Sequence, residues 1–160
     1  MPRRKSVNLI RDIGVDPIYG SPVVQKLINV VMKEGKKSTA RQIVYNAMDL
    51  VTKRMGGDKD KSIKVFMRAI EQLTPSIEVK SRRVGGSNYQ VPIEVSAHRA
   101  RSLALRWLVL YAGQRNDKDM GLRLGGELLD ASEGRGLAFK KKLDVLKMAE
   151  ANRAFSHYSW

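Results

Sequence analysis

The stretch SRRVGGSNYQVP (residues 81–92) lies where the chain changes from a helical to an extended pattern. Before it, apolar residues recur every three or four positions, whereas from Ile77 to Val95 they alternate with polar residues, which is the period of a strand. The sequence Gly85-Gly86-Ser87-Asn88 interrupts this alternation with residues typical of a tight turn. We therefore predict a β-hairpin at about residues 76–95.

Six helices are predicted around this hairpin, three on either side of it. Helix-start residues precede four of the apolar repeats: Ser21 with Pro22 for the first helix, Ser38 for the second, Asp58 or Asp60 for the third, and Ser96 for the fourth. Helix five is expected at about 117–130 and helix six at about 137–151. The predicted fold class is mainly α, a six-helix bundle with one protruding β-hairpin, or ribbon, between helices three and four.

Three glycines weaken the helical pattern of helix five. Gly121, Gly125 and Gly126 each cost up to about 1 kcal/mol of helix stability relative to alanine. We therefore expect this helix either to be frayed or to be held by a neighbouring helix.

The length of the chain fits one domain with a short segment at each end. Residues 1–19 lack helical periodicity and are interpreted as an extended basic arm. Residues 20–154 form the helical domain that includes the hairpin, and residues 155–160 form a C-terminal aromatic tail. The 160 residues include no cysteine, and a chain of this size buries enough surface to fold without disulfides or metal.

The charge of the chain points to a polyanionic partner. It contains 30 Lys and Arg residues against 16 Asp and Glu residues, which gives a formal charge of +14. The excess is +8 in residues 1–80 (16 − 8) and +6 in residues 81–160 (14 − 8), so it is not confined to one tail. Such a charge destabilises a compact body unless phosphates offset it, which favours nucleic-acid binding.

The hairpin carries the most informative group of candidate binding residues. Lys80, Arg82 and Arg83 lie close to its turn, and Tyr89 is placed to stack on a base. Charges on an edge strand also prevent aggregation, but one or two are enough for that. Three cations at the tip favour contact with RNA or DNA.

Other cations occur in three further clusters, where a solvated surface is the alternative interpretation. They are Arg3, Arg4 and Lys5 in the arm, Lys36, Lys37 and Arg41 between helices one and two, and Arg99, Arg101 and Arg106 on helix four. Such groups position phosphates without reading sequence. For Lys140-Lys141-Lys142, phosphate contact and solubility have equal weight. The aromatic tail either stacks on bases or folds back on the domain.

The sequence does not favour catalysis, a cofactor or a membrane partner. The two histidines, His98 and His157, are not accompanied by a recognisable nucleophile or metal-ligand pattern, and Gly85-Gly86 lacks the continuation of a phosphate-binding loop. No signal peptide or membrane-length apolar run is found. We expect a non-enzymatic intracellular protein without cofactors or metal.

Four separated motifs resemble the small-subunit ribosomal protein seven family, of the bacterial or organellar type. One runs through residues 21–47 and includes Leu27-Ile28, Gly35-Lys36-Lys37 and Ile43-Val44. The others are the hairpin stretch 81–92, LALRWL (residues 103–108) and MAEANRAF (residues 148–155). They occur in the family's order and cover essentially the whole chain.

The resemblance implies a structural protein that binds the three-prime major domain of small-subunit ribosomal RNA and nucleates assembly of the subunit head. It also implies a position near the messenger exit path and the exit-site transfer RNA, beside neighbouring head and platform proteins, in a cytoplasmic or organellar ribosome. The implied RNA-facing residues are Arg3, Arg4, Lys5, Lys36, Lys37, Arg41, Lys80, Arg82, Arg83, Tyr89, Arg99, Arg101 and Arg115.

An architectural DNA-binding protein is the alternative function. Such a protein would use the basic hairpin as an arm in the minor groove, commonly with an apolar wedge at the tip. The tip here is Gly-Gly-Ser-Asn, and Pro92 lies well behind it. This arrangement favours RNA over duplex DNA.

Overall fold

The computed structural model describes residues 12–158, which form six α-helices, one β-hairpin and one 3-10 helix. The predicted mainly α fold, with the hairpin between the third and fourth helices, is confirmed. In chain order the elements are α1 (Pro22–Val31), α2 (Lys37–Arg54), α3 (Lys59–Leu73), β1 (Ile77–Val84), β2 (Ser87–Glu94), α4 (Ala97–Ala112), α5 (Met120–Ser132), α6 (Leu137–Ala151) and the 3-10 helix Arg153–Tyr158.

The helix starts agree with the sequence in most cases but not in α2. Asp58 caps α3 as predicted, because its side chain accepts a hydrogen bond from the backbone N–H of Asp60 at 2.9 Å. Ser38, predicted to cap the second helix, instead lies within its first turn. A turn at Gly35, with φ +71°, allows the carbonyl of Lys36 to accept the N–H of Ala40, so the helix begins before Ser38.

Two other helix boundaries differ from the prediction. Gly35 is the predicted end of the first helix, but the helix ends at Val31, and the turn that contains Gly35 follows it. Helix α5 begins at Met120, three residues later than expected, with Asp119 at the N-cap position. Both differences shorten helices at their polar ends and leave the apolar faces unchanged.

Helix α5 lies against α2, α3 and α4 and forms the middle of the core. Its Leu124 and Leu128 are fully buried. In α4, Leu105 is fully buried, whereas Trp107 is only half-buried. The largest fully buried side chains of the core also include Leu27, Ile28, Val44, Met48, Phe66, Leu73 and Leu108.

Glycines in α5 permit its close approach to α2. A Cβ atom on Gly121 would lie 2.9 Å from the Cβ of Asn46, and one on Gly125 would lie 3.0 Å from the carbonyl oxygen of Ala47. Either atom would force the two helices apart. Helix α5 is therefore held by its neighbour, which is one of the two outcomes that its composition predicted.

The hairpin is a two-stranded antiparallel ribbon with a tighter turn than predicted. Only Gly85 and Gly86 connect the strands, and Ser87 and Asn88 already belong to β2. Both glycines have positive φ, +57° and +89°, which is the conformation that a two-residue hairpin turn requires at both positions. The ribbon therefore ends in backbone rather than in an apolar side chain.

The two ends of the described chain both pack on the domain. At the start, the carboxylate of Asp16 is fully buried and accepts hydrogen bonds from the N–H of Tyr19 at 2.9 Å and the hydroxyl of Tyr45 at 2.6 Å. At the end, Phe155 and Tyr158 lie against Tyr89 of β2. Residues 16–19 of the predicted arm are thus fixed to α2. The arm residues Arg3, Arg4 and Lys5 lie outside the described residues.

Candidate nucleic-acid interface

The two adjacent arginines of the ribbon lie on opposite faces. Arg82 pairs with Tyr89 across the strands, and Arg83 pairs with Asn88. Tyr89 is half-buried, and Val91, two residues further along the same face, is fully buried, so this face packs on the body. Arg83 is exposed on the other face. It is therefore the ribbon arginine whose guanidinium faces solvent.

Tyr89 contacts aromatic residues of its own chain. Its ring centroid lies 5.1 Å from that of Phe155 and 5.5 Å from that of Tyr158, with tilted planes. Tilted aromatic pairs at these separations are favourable. The described part of the tail therefore folds back on the ribbon, and Tyr89 contributes to holding it there. Its predicted stacking on a base remains a prediction.

Glu78 joins the base of the ribbon to α4. Arg99 Nε donates to both carboxylate oxygens at 2.9 Å, and Lys80 Nζ lies 3.1 Å from Oε1. The Arg99 hydrogen bond, with a smaller contribution from Lys80, outweighs burial and lowers the pKa of Glu78 below its ordinary value. Arg99 and Lys80, two of the predicted RNA-facing cations, are thus already partly neutralised.

The cations between α1 and α2 divide into a paired and an unpaired group. Lys36 Nζ donates to Glu34 at 2.8 Å, and both side chains are largely exposed. Lys37 and Arg41 are four residues apart on α2, so they share one helical face. Both are exposed, and neither has a carboxylate partner within residues 12–158. They present two full charges to solvent.

Helix α4 contributes to several cavities, in two of which its basic side chains meet lysines of other elements. Arg106 lines a groove of about 710 Å³ together with Lys33 and Lys36, so the groove joins the end of α4 to the loop between α1 and α2. Arg101 lines a smaller cavity beside Lys26 and His98. Arg99 and Arg106 are seven residues apart, a spacing that predicts one shared helix face, but Arg99 turns towards the ribbon and binds Glu78.

Nearly the whole sequence matches a known protein family. Residues 2–153 match the family model described as ribosomal protein S7p/S5e. The chain is 53% identical to the small ribosomal subunit protein uS7 of Rubrobacter xylanophilus and 54% identical to that of Syntrophotalea carbinolica, over the full length of both chains in each case. It is also 54% identical to the uS7 protein of Ectopseudomonas mendocina, over 99% of each chain.

This chain belongs to the ribosomal protein S7p/S5e family. It is a structural, ribosomal-RNA-binding protein of the small ribosomal subunit, located in the ribosome in the cytoplasm, and it is not an enzyme. In residues 12–158, no group of His, Asp or Glu side chains has the arrangement of a metal site. The helices within the same range are too short or too polar to cross a bilayer.

Arg115, implied by the S7p/S5e resemblance to face RNA, is engaged inside the domain. Its Nη1 donates to Glu127 at 2.9 Å and to Asp130 at 2.7 Å, and its Nε donates to Asp117 at 3.3 Å. The Asp130 hydrogen bond is the largest cause of a raised pKa for the guanidinium, against the opposing effect of burial. The structure therefore gives Arg115 a role in joining α5 to the segment after α4.

The lysine run of α6 has a similar internal member. Lys142 Nζ donates to the carbonyl of Gln72 at 2.6 Å, close to the C-terminal end of α3, where a cation is favourable. Burial lowers the pKa of this ammonium group. Lys140, by contrast, is exposed. Three consecutive lysines thus point in different directions, as expected on a helix.

Sequence reasoning missed Lys26, which lies beside Arg101. A signal was present, because Lys26 is the only charged residue in α1. All other residues of α1 are apolar or neutral. Lys26 is therefore not part of a charged, solvated helix face. Its position beside Arg101 becomes visible only when α1 and α4 are placed together.

Proposed function

We propose that this chain binds the three-prime major domain of small-subunit ribosomal RNA and nucleates assembly of the subunit head. In this proposal it lies near the messenger exit path and the exit-site transfer RNA, and it contacts neighbouring head and platform proteins. The bound RNA is held through its phosphates and its shape, because exposed guanidinium and ammonium groups position a backbone but read no bases.

One observation carries the proposal: within residues 12–158, exposed cations without carboxylate partners are distributed over separate elements. Arg83 lies on the ribbon, Lys37 and Arg41 on α2, and Arg101 on α4. Cations on several elements can bridge several RNA helices at once.

The tip of the ribbon favours RNA over bent duplex DNA. Its turn is Gly85-Gly86, which provides no side chain to insert between base pairs, and Pro92 lies opposite Val79, far from the turn. Proteins that kink DNA with such an arm commonly place an apolar wedge at its end. Competition between three-prime-domain RNA and duplex DNA therefore separates the two functions.

Chemical footprinting of the purified protein on fragments of small-subunit RNA tests the proposal. We expect protection confined to one multi-helix junction of the three-prime major domain. Affinity should also fall by about 10³–10⁵ between 50 and 200 mM salt if roughly 6–10 phosphates are contacted. Protection spread evenly over all fragments, or tighter binding to duplex DNA, would overturn the proposal.

A further inference from the structure

A small cavity lies between α1, the start of α4 and the segment that precedes α1. Its volume is about 330 Å³. Lys26 reaches it from α1, and His98 and Arg101 reach it from α4. Ile13 and Val23 provide apolar wall. The packing of two helices thus brings three basic side chains to one concave site.

These basic groups form no ion pair in the described part of the chain. Every ion pair found in residues 12–158 involves other side chains. The carboxylate of Asp12 also lines the cavity and accepts a hydrogen bond from the N–H of Gly14 at 3.0 Å, so one acidic group faces three basic ones. Burial and then the charge of Arg101 lower the pKa of Lys26, so the two cations oppose each other across the cavity.

We propose that Lys26, His98 and Arg101 form a pocket that binds one backbone phosphate of RNA. The ammonium, imidazole and guanidinium groups all supply N–H donors, which is the chemistry that a phosphate oxygen requires. A bound phosphate would also remove the repulsion between the two cations. This inference rests on the proposed function, and it adds Lys26 and His98 to the RNA-binding surface.

RNA is favoured over an acidic protein segment as the occupant. Lys37, Arg41 and Arg83 are exposed on α2 and the ribbon and have no ion-pair partner within residues 12–158. An RNA strand offers one phosphate per nucleotide, so RNA that fills the pocket can also contact such cations elsewhere on the domain. A short acidic segment would fill the pocket alone.

The test compares Lys26→Gln/Arg101→Gln with the wild-type protein. Affinity for a three-prime-domain RNA fragment is measured over a series of salt concentrations. Loss of one phosphate contact should lower the slope of log K against log salt by about 0.7–0.9. The matched control is Lys64→Gln/Arg68→Gln, which removes the same charge from exposed residues of α3 and should keep the wild-type slope. Lys26→Arg/Arg101→Lys, which keeps both charges, should also keep it.

The outcomes separate this inference from the proposed function. Wild-type protein that binds the RNA without salt dependence would overturn the proposed function itself. Wild-type binding with a normal slope, together with an unchanged slope in Lys26→Gln/Arg101→Gln, would overturn only the phosphate pocket. Equal slope losses in the pocket variant and in the α3 control would also overturn it, because the effect would then be one of total charge. Thermal unfolding of each variant verifies that it is folded.

Discussion

Arg99 on α4 donates from Nε to both carboxylate oxygens of Glu78 on β1, each at 2.9 Å. This contact fixes the base of the ribbon to the start of α4, and the side chain of Glu78 is only 12% exposed there. Closer to the tip, Tyr89 lies against Phe155 and Tyr158. An ionic contact and an aromatic contact together set the direction in which the ribbon leaves the body.

Replacing Glu78 with Gln should remove part of the acid sensitivity of the fold. The Arg99 hydrogen bond holds the pKa of Glu78 below its ordinary value of 4.5. A carboxyl whose pKa is lowered by folding stabilises the protein fully above its unfolded value, and that contribution is lost as pH falls through the folded value. We therefore expect the thermal midpoint of the wild type to decrease more steeply below pH 4.5 than that of Glu78→Gln. Identical pH profiles would contradict this role.

Replacing Arg115 with Ala should destabilise the domain strongly. Glu127 is fully buried, and the variant leaves its carboxylate without a cation, a change that costs on the order of 3–5 kcal/mol of unfolding free energy. Arg135→Ala removes an exposed arginine paired with exposed Glu133 and serves as the control, with little expected change. Urea unfolding measures both. Adding Glu127→Gln to Arg115→Ala should restore part of the loss, and a wild-type midpoint for Arg115→Ala alone would show that the network is unimportant.

Gly121→Ala should destabilise the protein although alanine is the better helix former. The new Cβ would lie 2.9 Å from the Cβ of Asn46, so α2 and α5 would have to separate, at a cost of roughly 1–3 kcal/mol. Gly113→Ala is the comparison, because its Cβ would meet only carbonyl oxygens of the preceding turn, the nearest being that of Leu110 at 3.3 Å. Chemical denaturation should therefore rank Gly121→Ala below Gly113→Ala. A variant Gly121→Ala more stable than the wild type would show that helix propensity dominates at this contact.

The contact between Asp16 and Tyr45 should be visible at alkaline pH. Burial, followed by the hydrogen bond to Asp16, raises the pKa of Tyr45 to about 12 from 10.0. Because folding raises this value, the stabilisation is complete below pH 10 and is lost as pH rises from 10 towards 12. When the formation of tyrosinate is followed by ultraviolet absorbance, the ionisation step at the highest pH should be absent from Tyr45→Phe. Tyr111→Phe provides the control for an aromatic substitution. A latest step that persists in Tyr45→Phe would assign it to another tyrosine.

Local periodicity was sufficient to predict the elements of this fold. The two-residue period of residues 77–95 and the glycine turn specify the hairpin, and the apolar repeats specify six helices. The error at Ser38 arose because a serine before an apolar repeat looks like a cap, whereas the turn at Gly35 determines where α2 begins. Propensity alone therefore does not fix a boundary next to a glycine turn.

Periodicity could not predict which cations are paired within the chain and which are exposed without a partner. Arg115 looks as available as Arg83 in the sequence, but its partners Glu127 and Asp130 lie 12 and 15 residues away. The acceptor of Lys142 is 70 residues away. Tertiary packing decides which guanidinium and ammonium groups remain unpaired, and this information is absent from residue spacing along one helix.

The most direct test of the account measures RNA binding after removal of the exposed cations that α2 and the ribbon contribute to the proposed surface. In the variant Lys37→Gln/Arg41→Gln/Arg83→Gln, the three charges come from the exposed face of α2 and the outer face of the ribbon. The control variant, Lys59→Gln/Lys64→Gln/Arg68→Gln, loses three equally exposed charges of α3, which the proposed surface does not include. Both are titrated with three-prime-domain RNA over a range of salt concentrations. We expect the slope of log K against log salt to be smaller in magnitude by about 2–3 in the first variant, with a matching loss of affinity. The control should bind like the wild type. Equal slopes and affinities for the two variants would contradict the claim that these cations hold the RNA.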